Sequence, residues 1–420
     1  MRINIINDPE FLYFNSKNNA IHSDLRCKLL FNDVRLHYSI IDPLVEVIRE
    51  EEGITLYPIE LYDISLFDNF EIKSNFFTNN ILARIKDINS SFYLFFFFPY
   101  EGFSLTEHNA KLLKIYNHFK DKYNIPKGKI LFLGGNLKLK QEAKKLNLPE
   151  RYFLGIDIFQ TATQKYYHIH NETFDKTELK QKLSKPKDKQ FLFRNGKARP
   201  HRVFLASYLK LKGILEKTHF SWLDFDDMSS LYSEEVLYKN LMLSFTNRNL
   251  DFDKLFNSYQ KILNNSPYIL DVKPEQSSPT NAQSKFNLDF TFSSYFSLVT
   301  ESLFNENLED VQFITEKVYQ CFSFYHPFLL AACPGTYEYL HKNGFETYPE
   351  IFDESFDSIE DSKLRMDKIL DNIENFINKD YSDILSSDFM VDKHLHNKKL
   401  FLQRGYDNSL LKELTEFFTF

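Results

Sequence analysis

Two short stretches of this chain carry side chains whose types and spacing suit the handling of anions. The first, FRNGKARPHR, places Arg194, Lys197, Arg199 and Arg202 between an apolar run and an amphipathic one, with Asn195 and Gly196 at the turn. A loop from a strand end to a helix start presents free backbone N–H groups and the positive end of the helix dipole. Arginine forks bind phosphate oxygens in pairs, and Gly196 lets the main chain approach a phosphate closely. The plain alternative is a solvated basic loop. The second, SLVTES followed by ITEK, sets Glu301 at a strand end and Glu316 and Lys317 at a helix start. A carboxylate there accepts hydrogen bonds from ribose hydroxyls, while an ammonium neutralises a diphosphate. Its alternative is a Glu that complements the helix dipole beside a solvated Lys.

A third stretch, FFPYEGFS, puts Glu101 just beyond the most apolar run of the chain. A partly desolvated carboxylate has a raised pKa and suits removal of a proton from a hydroxyl; a loop acid or helix cap is the alternative. His108 follows one or two helical turns later as a second candidate base. In FLGGN, Gly134, Gly135 and Asn136 end another strand and could admit an acceptor or donor close to the backbone, or form a plain turn. His168 and His170 stand two apart with no third ligand at suitable spacing, so no metal site is expected. Asp224, Asp226 and Asp227 of WLDFDDM read as a solvated acidic loop. Neither a P-loop nor a dinucleotide-binding glycine fingerprint is present, which removes the main support for kinase and dehydrogenase readings.

The elements that must position these residues alternate. INII, ITLYPI (54–59), FYLFFFF (92–98), KILFLGG (129–135) and RYFLGIDIF (151–159) read as buried strands. AKLLKIYNHFKDKYN has helical spacing, with Leu112, Leu113, Ile115, Tyr116 and Phe119 on its apolar side. Continuous apolar strands between helices predict a mostly parallel sheet covered on both faces. The pattern recurs: FLFRN (191–195) as strand, PHRVFLASYLKLKGIL as helix opened by Pro200, YFSLVTES (295–302) as strand and SKLRMDKILDNIENFIN (362–378) as helix. After Thr315, Val318, Cys321, Phe322 and Tyr325 fall on one helical face. His326-Pro327 stops that helix, Phe328 to Ala332 reads as a strand, Pro334-Gly335 turns, and Thr336 opens a helix to about Lys342 that ends at Gly344.

The expected organisation is therefore two α/β domains in tandem: an acceptor-side domain over 1–170, a basic linker over 171–190, a nucleotide-binding domain over 191–383 and a tail over 384–420. The stretch VKPEQSSPTNAQSK (272–285) has the composition of a mobile loop. A chain of 420 residues exceeds the size of a single core, which agrees with two domains. Three cysteines give neither a disulfide framework nor metal-ligand spacing and suit a reducing compartment. No basic leader precedes an apolar stretch, and no apolar run is long enough to span a bilayer, so a cytoplasmic protein is expected. The net charge of −7 argues against a nucleic-acid coat. Ligand is expected where strand ends face each other across the cleft.

The Arg-bearing strand-to-helix loop, a strand ending near Glu, and FITEKVYQCFSFYHPFLLAACPGTYEYL together resemble the C-terminal domain of fucosyltransferase-like and exostosin-like glycosyltransferases. The similarity covers roughly residues 190–380, with the Thr-Glu-Lys segment its specific part. HPFLL takes the place of the family's short strand, and NENLED replaces a differently worded segment. The resemblance implies a GT-B fold, two Rossmann-like domains facing across a cleft, with the nucleotide sugar bound mainly by the C-terminal one. It implies that Arg194, Lys197 and Lys317 face the diphosphate, Glu316 the ribose or sugar, and that Glu301 lines the same pocket; Asn195, Arg199 and Arg202 complete the donor side.

The expected function is transfer of a sugar from a nucleoside diphosphate to a hydroxyl of a glycan or other acceptor, metal-independent, inverting and without a cofactor. Glu101 would take the acceptor proton, and Arg and Lys would stabilise the leaving group. One alternative keeps the chemistry on modified DNA bases, as in some phage enzymes, with Lys180, Lys182, Lys185, Lys187 and Lys189 holding a phosphate backbone. Another is a non-catalytic binding protein that retains the shell of the fold.

Overall fold

The computed structural model describes residues 3–6, 38–41, 53–61, 77, 79–98, 102–160, 163, 173–223, 232–270, 288–304, 311–404 and 408–419. The chain forms two compact units: residues 1–161 with 310–313 and 406–420, and residues 162–309 with 314–405.

Unit 1 is built on a six-stranded sheet of β1 (Ile3–Ile6), β2 (Tyr38–Ile41), β3 (Ile54–Glu60), β4 (Phe92–Phe98), β5 (Ile130–Gly134) and β6 (Phe153–Gly155), in the order β2-β1-β3-β4-β5-β6. Every pairing is parallel. Between them run α1 (Asn79–Lys86), α2 (Glu107–Lys122) and α3 (Leu139–Lys145). The apolar run of β4 is continuous because alternate side chains enter two different cores. Leu94, Phe96 and Phe98 join Leu112, Ile115, Tyr116 and Phe119 of α2, while Phe95 and Phe97 join Leu131, Leu133 and the chain's last helix. The expected strand over 151–159 is short, covering Phe153–Gly155, and β2 went unread in the sequence.

Unit 2 carries β7 (Lys189–Asn195), β8 (Thr218–Trp222), β9 (Ser294–Thr300) and β10 (Phe328–Ala331) in the order β10-β9-β7-β8, again all parallel. Its helices are α4 (Lys176–Leu183), α5 (Pro200–Leu211), α6 (Glu235–Met242), α7 (Phe252–Leu263), α8 (Leu288–Phe292), α9 (Glu316–Ser323), α10 (Thr336–Lys342), α11 (Ser362–Phe376), α12 (Ser382–Leu385) and α13 (Asp388–Arg404). Counted within the unit, the strand order is second, first, third, fourth, which is also how unit 1 begins. Such an order reverses direction between the first and third strands, and ligands bind outside the carboxyl ends of the strands at that reversal. In unit 2 the reversal lies between β7 and β9, and both strands run their carboxyl ends into the stretches singled out by sequence.

Two expectations about organisation are corrected. The basic stretch 171–190 is not an open linker, because α4 sits inside it. Asp175 caps the helix by accepting the Glu178 N–H at 2.9 Å, and the Glu178 carboxylate accepts the Asp175 N–H at 3.1 Å. Leu179 and Leu183, one turn apart, are buried. The C-terminal stretch is likewise not a tail. Helix α13 packs against α9 and α4, and α14 (Asn408–Phe418) belongs to unit 1, where Phe418 meets Phe95 edge to face at 5.7 Å. Both segments look polar in sequence because each offers only one apolar stripe to a sheet or helix.

Among the described residues, no helix is long and apolar enough to cross a membrane.

Candidate functional site

The β7–α5 turn is shaped by an arginine that faces inward. Arg202, on the first turn of α5, is 3% exposed. Its guanidinium donates to the carbonyls of Lys197, Thr300 and Glu301, each at 3.1 Å. One planar fork thus ties the loop after β7 to the carboxyl end of β9. Arg202 was expected to face phosphate; it is instead the clamp that brings the two strand ends together. Beside it, His201 Nε2 lies 2.9 Å from the Glu301 carbonyl, and its ring stacks on Phe304 at 5.5 Å. Burial holds His201 well below the usual imidazole range, and the positive charges of Arg202, Arg199 and Lys317 push it further down. That field marks the corner as electropositive.

Asn195, the last residue of β7, is 2% exposed. Its Oδ1 accepts the Thr300 hydroxyl at 3.0 Å, while Nδ2 is buried with no hydrogen-bond partner. Arg194, Lys197 and Arg199 are partly exposed on the same turn.

The second strand end organises the Thr-Glu-Lys segment. Glu301 is fully buried and does not line an open pocket through its carboxylate. It accepts the Thr315 N–H at 3.2 Å and the Thr315 hydroxyl. Burial raises its pKa, opposed by the Lys317 charge and by the bonds from Thr315. Thr315 occupies the expected N-cap position, yet its hydroxyl caps nothing; Glu301 draws it away. Lys317 Nζ donates to Thr315 Oγ1 at 2.9 Å and pairs with Glu316 at 3.1 Å, with side-chain exposures of 23% and 13%. The ammonium is thereby held at the helix start, within reach of solvent.

Arg194 and Lys317 meet at a small pocket that is partly open to solvent. Leu192, Val299, Gln320, Cys321, Phe324 and His326 continue its wall. Deeper in, His326 Nδ1 accepts the Ser297 hydroxyl at 2.7 Å and Nε2 donates to the Ser294 carbonyl at 3.1 Å. Burial lowers the His326 pKa to about 3, with Arg194 and Lys187 acting in the same direction. The Cys321 thiol is pushed up to about 12 by burial. The interior is therefore uncharged while its rim is cationic. Sequence reading missed this wall, although Lys317, Gln320, Cys321 and Phe324 follow helical spacing. The apolar stripe of the same helix, which shares Cys321 with this wall, drew attention to Val318, Phe322 and Tyr325 beside it.

The other expected site residues fall elsewhere. Helix α10 is opened by Gly335 at φ 76°, not by Thr336, and the Asp357 carboxylate accepts the Tyr337 and Glu338 N–H groups at 3.0 Å. That helix start already holds its anion. In unit 1, Gly134 lies against the Phe98 ring, where a Cβ would clash, and Gly135 donates to the Phe98 carbonyl at 3.2 Å. Asn136 is fully buried. Its Nδ2 donates to Glu142 at 3.0 Å, and its Oδ1 accepts the N–H groups of Lys138 and Gln312 at 3.0 and 3.1 Å. Glu142 also accepts the Ser104 hydroxyl and the Leu105 N–H. This is a packed polar knot, and each of these hydrogen bonds is made within the protein. His108 lies in the first turn of α2, and nothing further is described of its side chain. Glu101, His168, His170, Asp224, Asp226, Asp227 and the loops 272–285 and 305–310 lie outside the described residues.

Four of the five lysines of the run are engaged within the chain. Lys180 pairs with Asp388 at 2.9 Å, Lys182 lies over the rings of Phe174 and Phe292, Lys187 donates to the Lys182 carbonyl and Lys189 to that of Glu216. Among the described residues, no group of three or more His, Cys, Asp or Glu side chains could hold a metal ion. No family model, curated protein or solved structure matches the chain.

Proposed function

We propose that the chain is a nucleotide-sugar-dependent glycosyltransferase of GT-B type, with its donor bound by unit 2. The observation that carries this reading is the coincidence of four features at one place. The β7/β9 reversal, the starts of α5 and α9, a cationic rim of Arg194 and Lys317, and the pocket below it all converge. A nucleoside diphosphate has the complementary form: two phosphates for the rim and the helix starts, and an uncharged nucleoside for the interior. Two doubly wound units in one chain suit the GT-B plan.

In this reading Arg194, Lys197, Arg199 and Lys317 neutralise the diphosphate, and Glu316, which orients Lys317, accepts from a sugar or ribose hydroxyl. Asn195, Glu301 and Arg202 hold the loops that carry them. Glu101, three residues beyond β4 in sequence, is the proposed base. It takes the proton of the acceptor hydroxyl as that oxygen forms its bond to the anomeric carbon. The bond from that carbon to the diphosphate oxygen breaks, and the electron pair leaves with the diphosphate. Attack from the opposite side inverts the centre. Charge on the leaving group develops beside the fixed Arg and Lys cations, where it is stabilised most, so the proposal needs no metal. The acceptor is a hydroxyl of a glycan or a similar compound.

The test is a thermal-shift panel of nucleoside diphosphates on wild type and Lys317→Ala, with magnesium or chelator. A ligand that binds only the folded state raises the melting temperature. The expected result is a shift from one diphosphate, lost in Lys317→Ala and indifferent to chelator. No shift from any nucleotide removes the reading.

A further inference from the structure

The wall of the pocket holds an amide with no hydrogen-bond partner among the described residues. Gln320 is 8% exposed and lines the pocket. No hydrogen bond reaches its carboxamide from any described residue, whereas its main-chain carbonyl accepts from Ser323 and Phe324. A carboxamide offers two donors and an acceptor side by side, which is the pattern of a nucleobase edge.

Its neighbours restrict what could meet it. Lys317, Gln320, Cys321 and Phe324 stand at i, i+3, i+4 and i+7, one stripe facing the pocket. The stripe begins with a cation at the strand ends and finishes with an aromatic ring. Across from it lie Leu192, Val299 and the neutral Ser297–His326 pair. Among the described residues, no carboxylate lines this wall. A ligand that places anionic groups at Lys317 and Arg194 and sends a flat, uncharged, hydrogen-bonding body toward Phe324 fits every part of it.

We propose that the pocket along α9 receives the base of the donor nucleotide and that Gln320 reads the base edge, making it a specificity-determining residue. This rests on the transferase reading above. The diphosphate is held at the rim independently of Gln320, so base recognition and phosphate binding are separable.

The experiment measures affinities of UDP, GDP, ADP, CDP and inorganic pyrophosphate by calorimetry for wild type, Gln320→Met and Gln320→Glu. Methionine keeps the size of the side chain without its hydrogen bonds; glutamate removes its donors. Melting temperatures without ligand establish that each variant folds, and whichever variant folds decides the question. Wild type is expected to prefer one nucleoside diphosphate over the others and over pyrophosphate. In Gln320→Met that preferred ligand should bind about tenfold more weakly, as expected when a hydrogen-bonding site loses its partner. Discrimination among bases should shrink and pyrophosphate affinity stay the same. Retained discrimination in the folded variants overturns the inference alone, as does equal binding of pyrophosphate and every nucleotide to wild type. Absence of all binding to wild type overturns the transferase reading and this inference with it.

Discussion

Glu301 accepts both the N–H and the hydroxyl of Thr315 across fourteen residues of chain, while its carboxylate is fully buried. The pair fixes where α9 starts relative to the end of β9. Removing the acceptor strands two buried donors, each costing about 1–3 kcal/mol. Glu301→Ala should therefore lose roughly 3 kcal/mol of stability, and Glu301→Gln, which retains one acceptor, about 1 kcal/mol. Urea unfolding reads both through the midpoint at unchanged slope. Equal stability of wild type and Glu301→Ala would mean that the helix start is held by something else.

Arg202 and Lys317 are both cations of the same corner and should fail differently. Arg202 makes three hydrogen bonds to carbonyls and is almost fully buried. Arg202→Ala is expected to cost roughly 5 kcal/mol or more, since charged bonds of this kind contribute about 1.5–3 kcal/mol each. Arg202→Lys should recover little, because one ammonium cannot span the fork. Lys317→Ala removes a partly exposed side chain and should cost about 1 kcal/mol or less, yet it should weaken nucleoside diphosphate binding at least tenfold. Melting temperatures paired with binding isotherms separate the two. A Lys317→Ala protein that binds normally would place the phosphates elsewhere.

In unit 1 the polar knot around Asn136 gives a prediction about stability alone. Asn136→Ala leaves Glu142, Lys138 and Gln312 each short of one hydrogen bond, an expected loss of about 3 kcal/mol. Gly134→Ala drives a methyl into the Phe98 ring, and overpacking of that kind costs about 1–3 kcal/mol. Nucleotide affinity should be unchanged in whichever of these variants folds. A selective loss of affinity at full stability would return Asn136 to the ligand-binding set.

The strands that sequence revealed best, β4, β7 and β9, are continuous apolar runs, and such runs are needed only where both faces of a sheet are covered. β2 and β8 escaped because YSII and THFSW are short and mixed in polarity. The residue types of the site were equally legible: cations after β7, and Glu301 with Glu316 and Lys317 after β9. What sequence did not give is the direction in which each side chain points. Arg194 and Arg202 look alike in FRNGKARPHR, yet one lines a pocket and the other clamps carbonyls. That difference arises from the position of Thr300 and Glu301 about a hundred residues away, which no local pattern encodes. Gln320 was hidden for a related reason, since an amide on a helix is ordinary until its neighbours bury it.

The acid limb of stability should depend on His326. In the folded protein its pKa is lowered to about 3, chiefly by burial, whereas an unfolded imidazole titrates near 6.5. Between these values the unfolded chain binds a proton that the folded one refuses. The stabilisation is thus complete above pH 6.5 and is lost as pH falls toward 3. His394, also lowered to about 3 by burial, and His201, held well below the usual range, act in the same direction. Each contributes a slope of up to about 1.4 kcal/mol per pH unit. His326→Gln keeps a donor for the Ser294 carbonyl and cannot titrate. It should be somewhat less stable than wild type at pH 7.5, yet lose stability less steeply below pH 6. Urea midpoints at pH 7.5, 6, 5 and 4 give the two slopes. Parallel slopes would mean that the folded protein accommodates a charged His326, and the uncharged interior proposed for the base would then be wrong as well.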